Sequence, residues 1–444
     1  MDFATWQYLL KYSIGKPGAI GAFRNASYNQ NLPPDQLNEL SWNKTLKLLH
    51  LAYANVPWYK ELFASINLHP GDIKHPEDFY KIPILTREQV KENFVKFISD
   101  KIDPHSLKIS TTGGSSGQPL KIGMDPRVNR EVPKWQMLSW WGLSPVSNMA
   151  SIYRGTHSSG LKGLSLNLIN WPRKTVRMDA TNITETGIKD FIKAYSKYKP
   201  RLIHGYVGAL DALADYINDN DIILKPPNVV WSTAAPITSI QERKISKAFN
   251  APVCDQYGCS EIYYVAAECS HKKGLHIFSD SVRVEILDDN NMPVKPGQYG
   301  KIVLTNLNEY CFPLIRYENG DKGRLLSETC TCGLTLPLMD KIKGRISDNI
   351  ILPDGTVLSG EYLTTIFDNY TEEIRQFQII QHKSSAIAVR IVFYRESEKK
   401  QYIMRSVESE LQKRIKSQVS LNIEVVNSIA EQRGKLQFII RDQS

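Results

Sequence analysis

Ser110-Thr111-Thr112-Gly113-Gly114-Ser115-Ser116-Gly117-Gln118-Pro119-Leu120 is the stretch on which the reading of this chain turns. Eight of its eleven residues are Ser, Thr or Gly, so side chains scarcely shield the backbone N–H groups. The hydroxyls add further donors, and such a nest can wrap the oxygens of a polyphosphate. A flexible Gly/Ser surface loop is the competing reading. A Walker-type loop is excluded, because Gln118 follows Gly117 where that motif needs a lysine. Leu107-Lys108-Ile109 runs into the stretch and Leu120-Lys121-Ile122 leaves it in the same alternation, which predicts strand–loop–strand.

Outward from the loop, 444 residues exceed what one hydrophobic core usually serves, so at least two domains are expected. Apolar residues at 42% and charged residues at 23% describe an ordinary folded chain. The net charge of +9 reads as a mildly basic surface that would help attract an anionic substrate. No dense Lys/Arg run with interleaved aromatics points to nucleic acid. Leu9 and Leu10 are soon followed by Lys11, Lys16 and Pro17, which argues against a signal peptide. No run approaches the ~20 apolar residues of a membrane span, so a cytoplasmic protein is expected.

The first hundred residues read as helical, with Leu37 to Phe63 interrupted by Pro57. Thr86 reads as an N-cap, with Glu88 and Gln89 in the first turn behind it. From about Met149 to Asp255 short apolar runs alternate with helical ones: strands at Ala150–Tyr153, Leu202–Tyr206 and Asn228–Trp231, helices at Gly208–Ile217 and Ser239–Phe249. That alternation predicts an α/β sheet with helical cover. From His276 to Leu326 the pattern turns to β, with a turn at Pro296-Gly297. Beyond Asp348, strands at Arg375–His382, Ala386–Tyr394 and Leu421–Val426 and a helix at Gln401–Lys416 predict a small α+β domain. The expected division is a large α/β domain over residues 1–347 and a mobile one over 348–444.

Four short motifs follow the loop. Tyr257-Gly258-Cys259-Ser260-Glu261 offers an aromatic for a base and a carboxylate for a magnesium ion between phosphates. In Ile315-Arg316-Tyr317-Glu318-Asn319-Gly320-Asp321 an acid beside a glycine can accept from both ribose hydroxyls, although Asn-Gly-Asp is also a common surface turn. Lys343-Gly344-Arg345-Ile346-Ser347-Asp348 supplies a fixed charge at the domain change, and Gly434-Lys435 a terminal lysine.

Taken together, in this order and spacing, the motifs resemble the acyl-adenylate-forming superfamily, in its phenylacetate–CoA ligase-like branch with capsule-biosynthesis relatives. Val56-Pro57-Trp58-Tyr59 and Lys81-Ile82-Pro83-Ile84-Leu85-Thr86 extend the resemblance toward the N-terminus. It implies a large adenylation domain of layered sheets and helices with a small mobile C-terminal domain. It assigns Thr112, Gly114, Ser115, Ser116 and Gly117 to the phosphates, Tyr257 with Gly258 to the adenine, Ser260 to the α-phosphate and Glu261 to magnesium. Asp321 and Arg345 fall to the ribose, Asp348 to the hinge, and Lys435 to adenylation, which makes Lys435, Glu261 and Arg345 the catalytic candidates. Gly113 and Gln118 depart from the Ser and Lys common in relatives, as Ala234-Ala235-Pro236 does from Gly-Ala-Glu.

The cysteines make a second constellation. Cys269, His276, Cys330 and Cys332 supply three thiolates and one imidazole for a closed structural zinc site, with His271 as the alternative imidazole. Buried free thiols are the competing reading, and it is the one expected for Cys254, Cys259 and Cys311. Several members of the resembling branch carry a similar pattern, which favours zinc. Tyr153, His157, His204, Tyr206, Ala234 and Ala235 are candidates for the acyl pocket, while Trp135, Trp140 and Trp141 read as core.

The resemblance implies that ATP, Mg2+ and a carboxylate give acyl-AMP and pyrophosphate. The acyl group then passes to CoA, to a carrier protein or to an amine. A non-catalytic nucleotide-binding protein is the reading from another class. A homodimer is an allowed assembly.

Overall fold

A computed structural model describes residues 3–112, 120–153, 170–180, 183–342, 350–354, 356–358, 363–370, 372–394, 399–415, 418–430 and 437–442. The chain is mixed α/β and forms two compact units. One comprises Met1–Val146, Leu168–Pro172 and Cys254–Ile342, the other Ser147–Asn167, Arg173–Val253 and Lys343–Ser444. Elements are numbered in chain order.

The first unit begins with helices α1 (Phe3–Gly15), α2 (Ala19–Asn29), α3 (Pro34–Asn55) and α4 (Pro57–Ser65). Pro57 divides α3 from α4 as expected: with no N–H to give, it opens the new helix. Helix α5 (Arg87–Glu92) starts on the expected cap. Gln89 N–H donates to Thr86 Oγ1 at 3.3 Å, while Gln89 Oε1 accepts from Thr86 N–H at 2.9 Å. Strands β1 (Lys108–Thr112) and β2 (Leu120–Met124) pair antiparallel with Thr112 opposite Leu120, so the Gly-rich segment joins two paired strands, as its flanks predicted. Helix α6 (Val132–Trp140) buries Trp135; Trp141, just beyond it, is buried too.

Two sheets complete this unit. One holds β10 (Val282–Leu287), β11 (Gly300–Asn306) and β12 (Tyr317–Gly323), antiparallel in that order. The other pairs β7 (Val253–Tyr257), β8 (Ala266–Glu268), β9 (Leu275–Ile277) and β13 (Leu338–Met339) antiparallel. A single core joins the N-terminal helices to the segment before β12: Leu48, Tyr59, Phe63, Phe79, Phe97 and Phe312 are all buried in it. Tyr59 O–H donates to Pro313 C=O at 3.1 Å, and its oxygen accepts from Ile315 N–H at 3.0 Å. Arg316, only 1% exposed, donates to Glu285 at 3.2 Å and to Tyr80 C=O at 3.1 Å. Its own carbonyl accepts from Leu85 N–H at 2.8 Å, and Glu318 N–H returns to Leu85 C=O at 3.0 Å. Ile82–Leu85 is therefore stitched beside β12, which sets the start of α5 over the sheet.

In the second unit β3 (Met149–Tyr153), β4 (Thr175–Asp179), β5 (Leu202–Tyr206) and β6 (Val229–Thr233) run parallel in the order β6-β5-β3-β4. Helices α7 (Glu185–Tyr198), α8 (Val207–Asp219) and α9 (Ser239–Phe249) cover them around Ile203, Leu210, Leu213 and Phe249. The same unit holds the hairpin β14 (Ile350–Ile351) and β15 (Val357–Leu358), helix α10 (Lys400–Arg414), and strands β16 (Ile374–Gln381), β17 (Ile387–Phe393), β18 (Leu421–Val425) and β19 (Ile439–Arg441). These last four form a sheet ordered β18-β17-β16-β19. Strand β19, which the sequence reading did not single out, pairs parallel with β16.

The C-terminal strands are not self-contained. Ile240 of α9 is buried in their core beside Ile350, Phe367 and Phe377. Lys244 of α9 is 2% exposed and lies 2.6 Å from Asp211 and 2.9 Å from Asp215, and Arg375 of β16 reaches Asp215 at 2.9 Å.

Candidate active site

The first unit assembles its candidates where β7 ends against β12. Gly258 follows β7, and a Cβ there would lie 1.7 Å from Tyr263 C=O, so the turn admits only glycine. Cys259 C=O accepts from Ile262 N–H at 3.2 Å and from Tyr263 N–H at 2.6 Å, and the turn carries Ser260 to the surface. Tyr257 is buried, and its O–H donates to Asp321 Oδ2 at 2.9 Å. Asn319 Nδ2 donates to the same carboxylate oxygen at 2.8 Å and to the Tyr257 hydroxyl at 2.6 Å.

This arrangement depends on an irregularity. Val303 pairs with Glu318 and Lys301 with Lys322, and between these pairs the register of β11 and β12 slips. Gly320 takes φ +84 there. Asn-Gly-Asp is thus a bulge inside a strand, not the surface turn that its composition also allowed, and it aims Asn319 and Asp321 at one phenol.

Glu261 is held separately. Its Oε1 accepts from Tyr317 O–H at 3.1 Å and from Arg87 at 3.3 Å, and its side chain is 8% exposed. Burial and the Glu261 charge push the Tyr317 phenol far above its ordinary pKa, so it stays a donor. Burial, then the Asp321 charge, does the same for Tyr257. Arg87, Tyr317 and Asn319 are functional candidates that the sequence reading did not assign. Tyr317 and Asn319 lay inside a quoted motif; Arg87 is 174 residues from Glu261 in the chain and carried no signal. A cavity of about 320 Å3 opens beside the turn, lined in part by Asn129, Arg130, Ile262, Tyr263 and Tyr264.

The cysteine constellation also converges. Cys269, His276, Cys330 and Cys332 bring one donor atom each within 4.8 Å of one another. Cys269 and Cys330 sulfurs are 3.6 Å apart, and Cys332 Sγ lies 3.4 Å from His276 Nε2. Thiolates about 2.3 Å from a tetrahedral ion stand about 3.8 Å apart, so the donor set fits zinc. His276 Nδ1 faces Leu336 C=O at 3.4 Å, which turns Nε2 toward the sulfurs. Burial lowers the His276 pKa to about 4, leaving a neutral imidazole, and burial raises the Cys269 thiol. His271 is exposed, with its Nδ1 on Thr331 at 2.8 Å; only its backbone N–H approaches Cys269 Sγ, at 3.4 Å. His276 is therefore the imidazole of the set. Trp140 stacks on Phe278 beside it.

Asp125, Glu309 and Cys311 also cluster, but Arg127 and Arg130 already pair with the two carboxylates. Cys254 and Cys311 are buried thiols as expected, and Cys259 is half-buried.

In the second unit Tyr153 and Tyr206 are the last residues of their strands, the end of a parallel sheet where ligands commonly bind. Tyr153 O–H meets His204 Nε2, His204 stacks on Trp231 with ring centroids 3.8 Å apart, and the Tyr153 and Tyr206 rings are 4.6 Å apart edge to face. Ala234, one residue past β6, has φ +73 in the left-handed region, and Ala235 follows it. That conformation costs an alanine about 1 kcal/mol, a strain that a glycine there would not carry. Thr112 closes β1, while Gly114, Ser115, Ser116, Gly117, His157, Arg345, Asp348 and Lys435 lie outside the described residues.

A model of the CapK C-terminal domain matches residues 350–442. Protein CapK of Staphylococcus aureus is 24% identical over 410 residues, 87% of this chain and 85% of CapK. The phenylacetate–coenzyme A ligase of Thermus thermophilus is 23% identical over 333 residues, 73% of each chain. The chain is thus similar to CapK and to phenylacetate–CoA ligases over most of its length. Its fold is similar to that of a 2-hydroxyisobutyryl-CoA ligase: the structure of that enzyme with bound 2-HIB-AMP superposes with a TM-score of 0.76 at 17% identity, over 94% of this chain and 91% of that one. No helix among the described residues is long and apolar enough to cross a membrane.

Proposed function

We propose that this chain activates a carboxylic acid with ATP, forming acyl-AMP and pyrophosphate, and then passes the acyl group to a thiol such as that of CoA. The observation that carries this reading is the convergence on the turn after β7: a Tyr257–Asp321–Asn319 network beside an oriented, mostly buried Glu261. In this reading Asp321 accepts from ribose hydroxyls, Tyr257 packs on adenine, and Glu261 anchors the magnesium that neutralises phosphate charge. Thr112 to Gly117 would cradle the phosphates with Ser260 near the α-phosphate. Arg345 would bind the ribose, and Lys435 would offset charge developing at the α-phosphorus. Asp348 would be the hinge about which the C-terminal segment rotates between the two half-reactions. The aromatic group of Tyr153, His204, Tyr206 and Trp231 fits the wall of an acyl pocket. Residues Cys269, His276, Cys330 and Cys332 would hold one structural zinc ion, with no coordination position left for chemistry. A cytoplasmic place and a homodimer complete the reading.

The second reading keeps the adenylation half and changes the acceptor to a carrier-protein thiol or an amine. The likeness to CapK along most of the chain favours keeping it, with surface-polysaccharide synthesis as its setting. ATP–pyrophosphate exchange over a panel of carboxylic acids tests the shared half. Exchange with at least one acid, lost by on the order of 10²-fold or more in Lys435→Ala, is expected. Binding of MgATP without exchange for any acid would favour a non-catalytic nucleotide-binding protein. Thioester or amide formation from the acid that responds then separates the acceptors.

A further inference from the structure

Arg87 is the first residue of α5 and, among the described residues, the only cation paired with Glu261. Its place is set from both sides. The Thr86–Gln89 cap starts the helix, and Leu85, just before the cap, is bonded in both directions to the chain at Arg316 and Glu318. The helix also packs against β2, the strand that leaves the Gly-rich segment. Arg87 therefore belongs to an element that touches the Glu261 turn, β12 and the exit of that segment, parts that lie far apart in the sequence.

The pair is an unusual one for a magnesium ligand. The Glu261 side chain is 8% exposed and is already aimed by Tyr317 O–H at 3.1 Å. Arg87, 28% exposed, approaches the same oxygen at 3.3 Å, longer than the ~2.7–2.9 Å of a strong charge-assisted bond. A magnesium ion bound to that oxygen at about 2.1 Å would lie within about 5.5 Å of the guanidinium. Two cations that close repel unless an anion separates them. A polyphosphate is such an anion: its oxygens complete the magnesium shell and offer the planar guanidinium a two-pronged partner. The cation is also needed there. Residues 110–120, the segment read as cradling the phosphates, contain no Lys or Arg.

We propose that Arg87 contacts the substrate: when MgATP enters, its guanidinium passes from Glu261 to the β- and γ-phosphates and supplies the charge that the Gly-rich segment lacks. This rests on the adenylation reading, in which Glu261 takes the magnesium. Without nucleotide, the pair with Glu261 keeps each charge beside a counter-ion.

Isothermal calorimetry on the full chain tests this with ligands that differ in their phosphates. The wild type should bind MgATP more tightly than AMP. Arg87→Gln should weaken MgATP and magnesium pyrophosphate by at least about tenfold and AMP by less than about twofold, with an unchanged melting midpoint. Gln118→Lys added to Arg87→Gln returns a cation to the segment and should restore most of the lost MgATP affinity. In the Glu261→Gln background, titrated with magnesium-free ATP, Arg87→Gln should still weaken binding about tenfold, because the contact is to phosphate. The assignment is overturned if Arg87→Gln leaves MgATP affinity intact, if AMP weakens as much as MgATP, or if Gln118→Lys restores nothing. It is equally overturned if the loss vanishes in the Glu261→Gln background, since Arg87 would then act only by holding that carboxylate. A wild type that binds neither MgATP nor AMP would refute the adenylation reading itself, and this assignment with it.

Discussion

Replacing Tyr317 by Phe deletes one hydroxyl and leaves a ring of the same shape in the core. Tyr317 is 1% exposed and packs in the cluster that holds Tyr59 and Phe312, so the variant should fold with a melting midpoint close to the wild type. What changes is Glu261, whose Oε1 loses a donor at 3.1 Å. A hydrogen bond to a charged group contributes about 1.5–3 kcal/mol, and Arg87 at 3.3 Å keeps part of the restraint. A net loss of about 1–2 kcal/mol in holding the carboxylate corresponds to a fall of roughly 5- to 30-fold in kcat/KM for adenylation. If Glu261 serves by anchoring magnesium, the loss should appear chiefly as a higher Mg2+ requirement. Pyrophosphate exchange measured against Mg2+ concentration, with the responding acid saturating, reads both quantities. Glu261→Gln should be worse than Tyr317→Phe, and Arg87→Ala comparable to it. The reasoning fails if Tyr317→Phe stays within about twofold of the wild type at every Mg2+ concentration while Glu261→Gln is crippled.

The protein purified without added metal should carry one zinc per chain; chelation or His276→Ala should lower the melting midpoint and open Cys269, Cys330 and Cys332 to alkylation, whereas His271→Ala should do neither. Burial raises Glu309 from 4.5 to about 7, so the folded state binds a proton that the unfolded state has released between those values. Stability should therefore fall as pH rises through that window, by up to about 3 kcal/mol relative to Glu309→Gln, and denaturant titrations of both proteins from pH 4 to 8 would reveal a flat difference if this is wrong. Lys244→Met should strand the buried Asp211 and Asp215 and cost about 3–5 kcal/mol in urea unfolding, more than Lys413→Met on the surface of α10, which should cost under about 1 kcal/mol.

Local chemistry made much of this protein legible before any fold was known. The Thr86 cap, the break at Pro57, the paired strands around the Gly-rich segment and the bounds of α9 all rest on groups within a few residues of one another. Backbone donors, missing N–H groups and apolar period act at that range, so the sequence carries them openly. The order of the motifs carried the resemblance to adenylate-forming enzymes for the same reason: each is a short run that can be read without a fold. The geometry of the site was not open to such reading. Arg87 meets Glu261 across 174 residues, Tyr257 meets Asp321 across 64, and Cys332 meets His276, not His271, across 56. Asn319 reaches Tyr257 because β12 slips against β11, and a slip in register is a property of two paired strands, absent from either one alone. Burial of Arg316 and of the Lys244 cluster likewise follows from what the rest of the chain packs around them, since a charge becomes interior only when distant segments exclude its water.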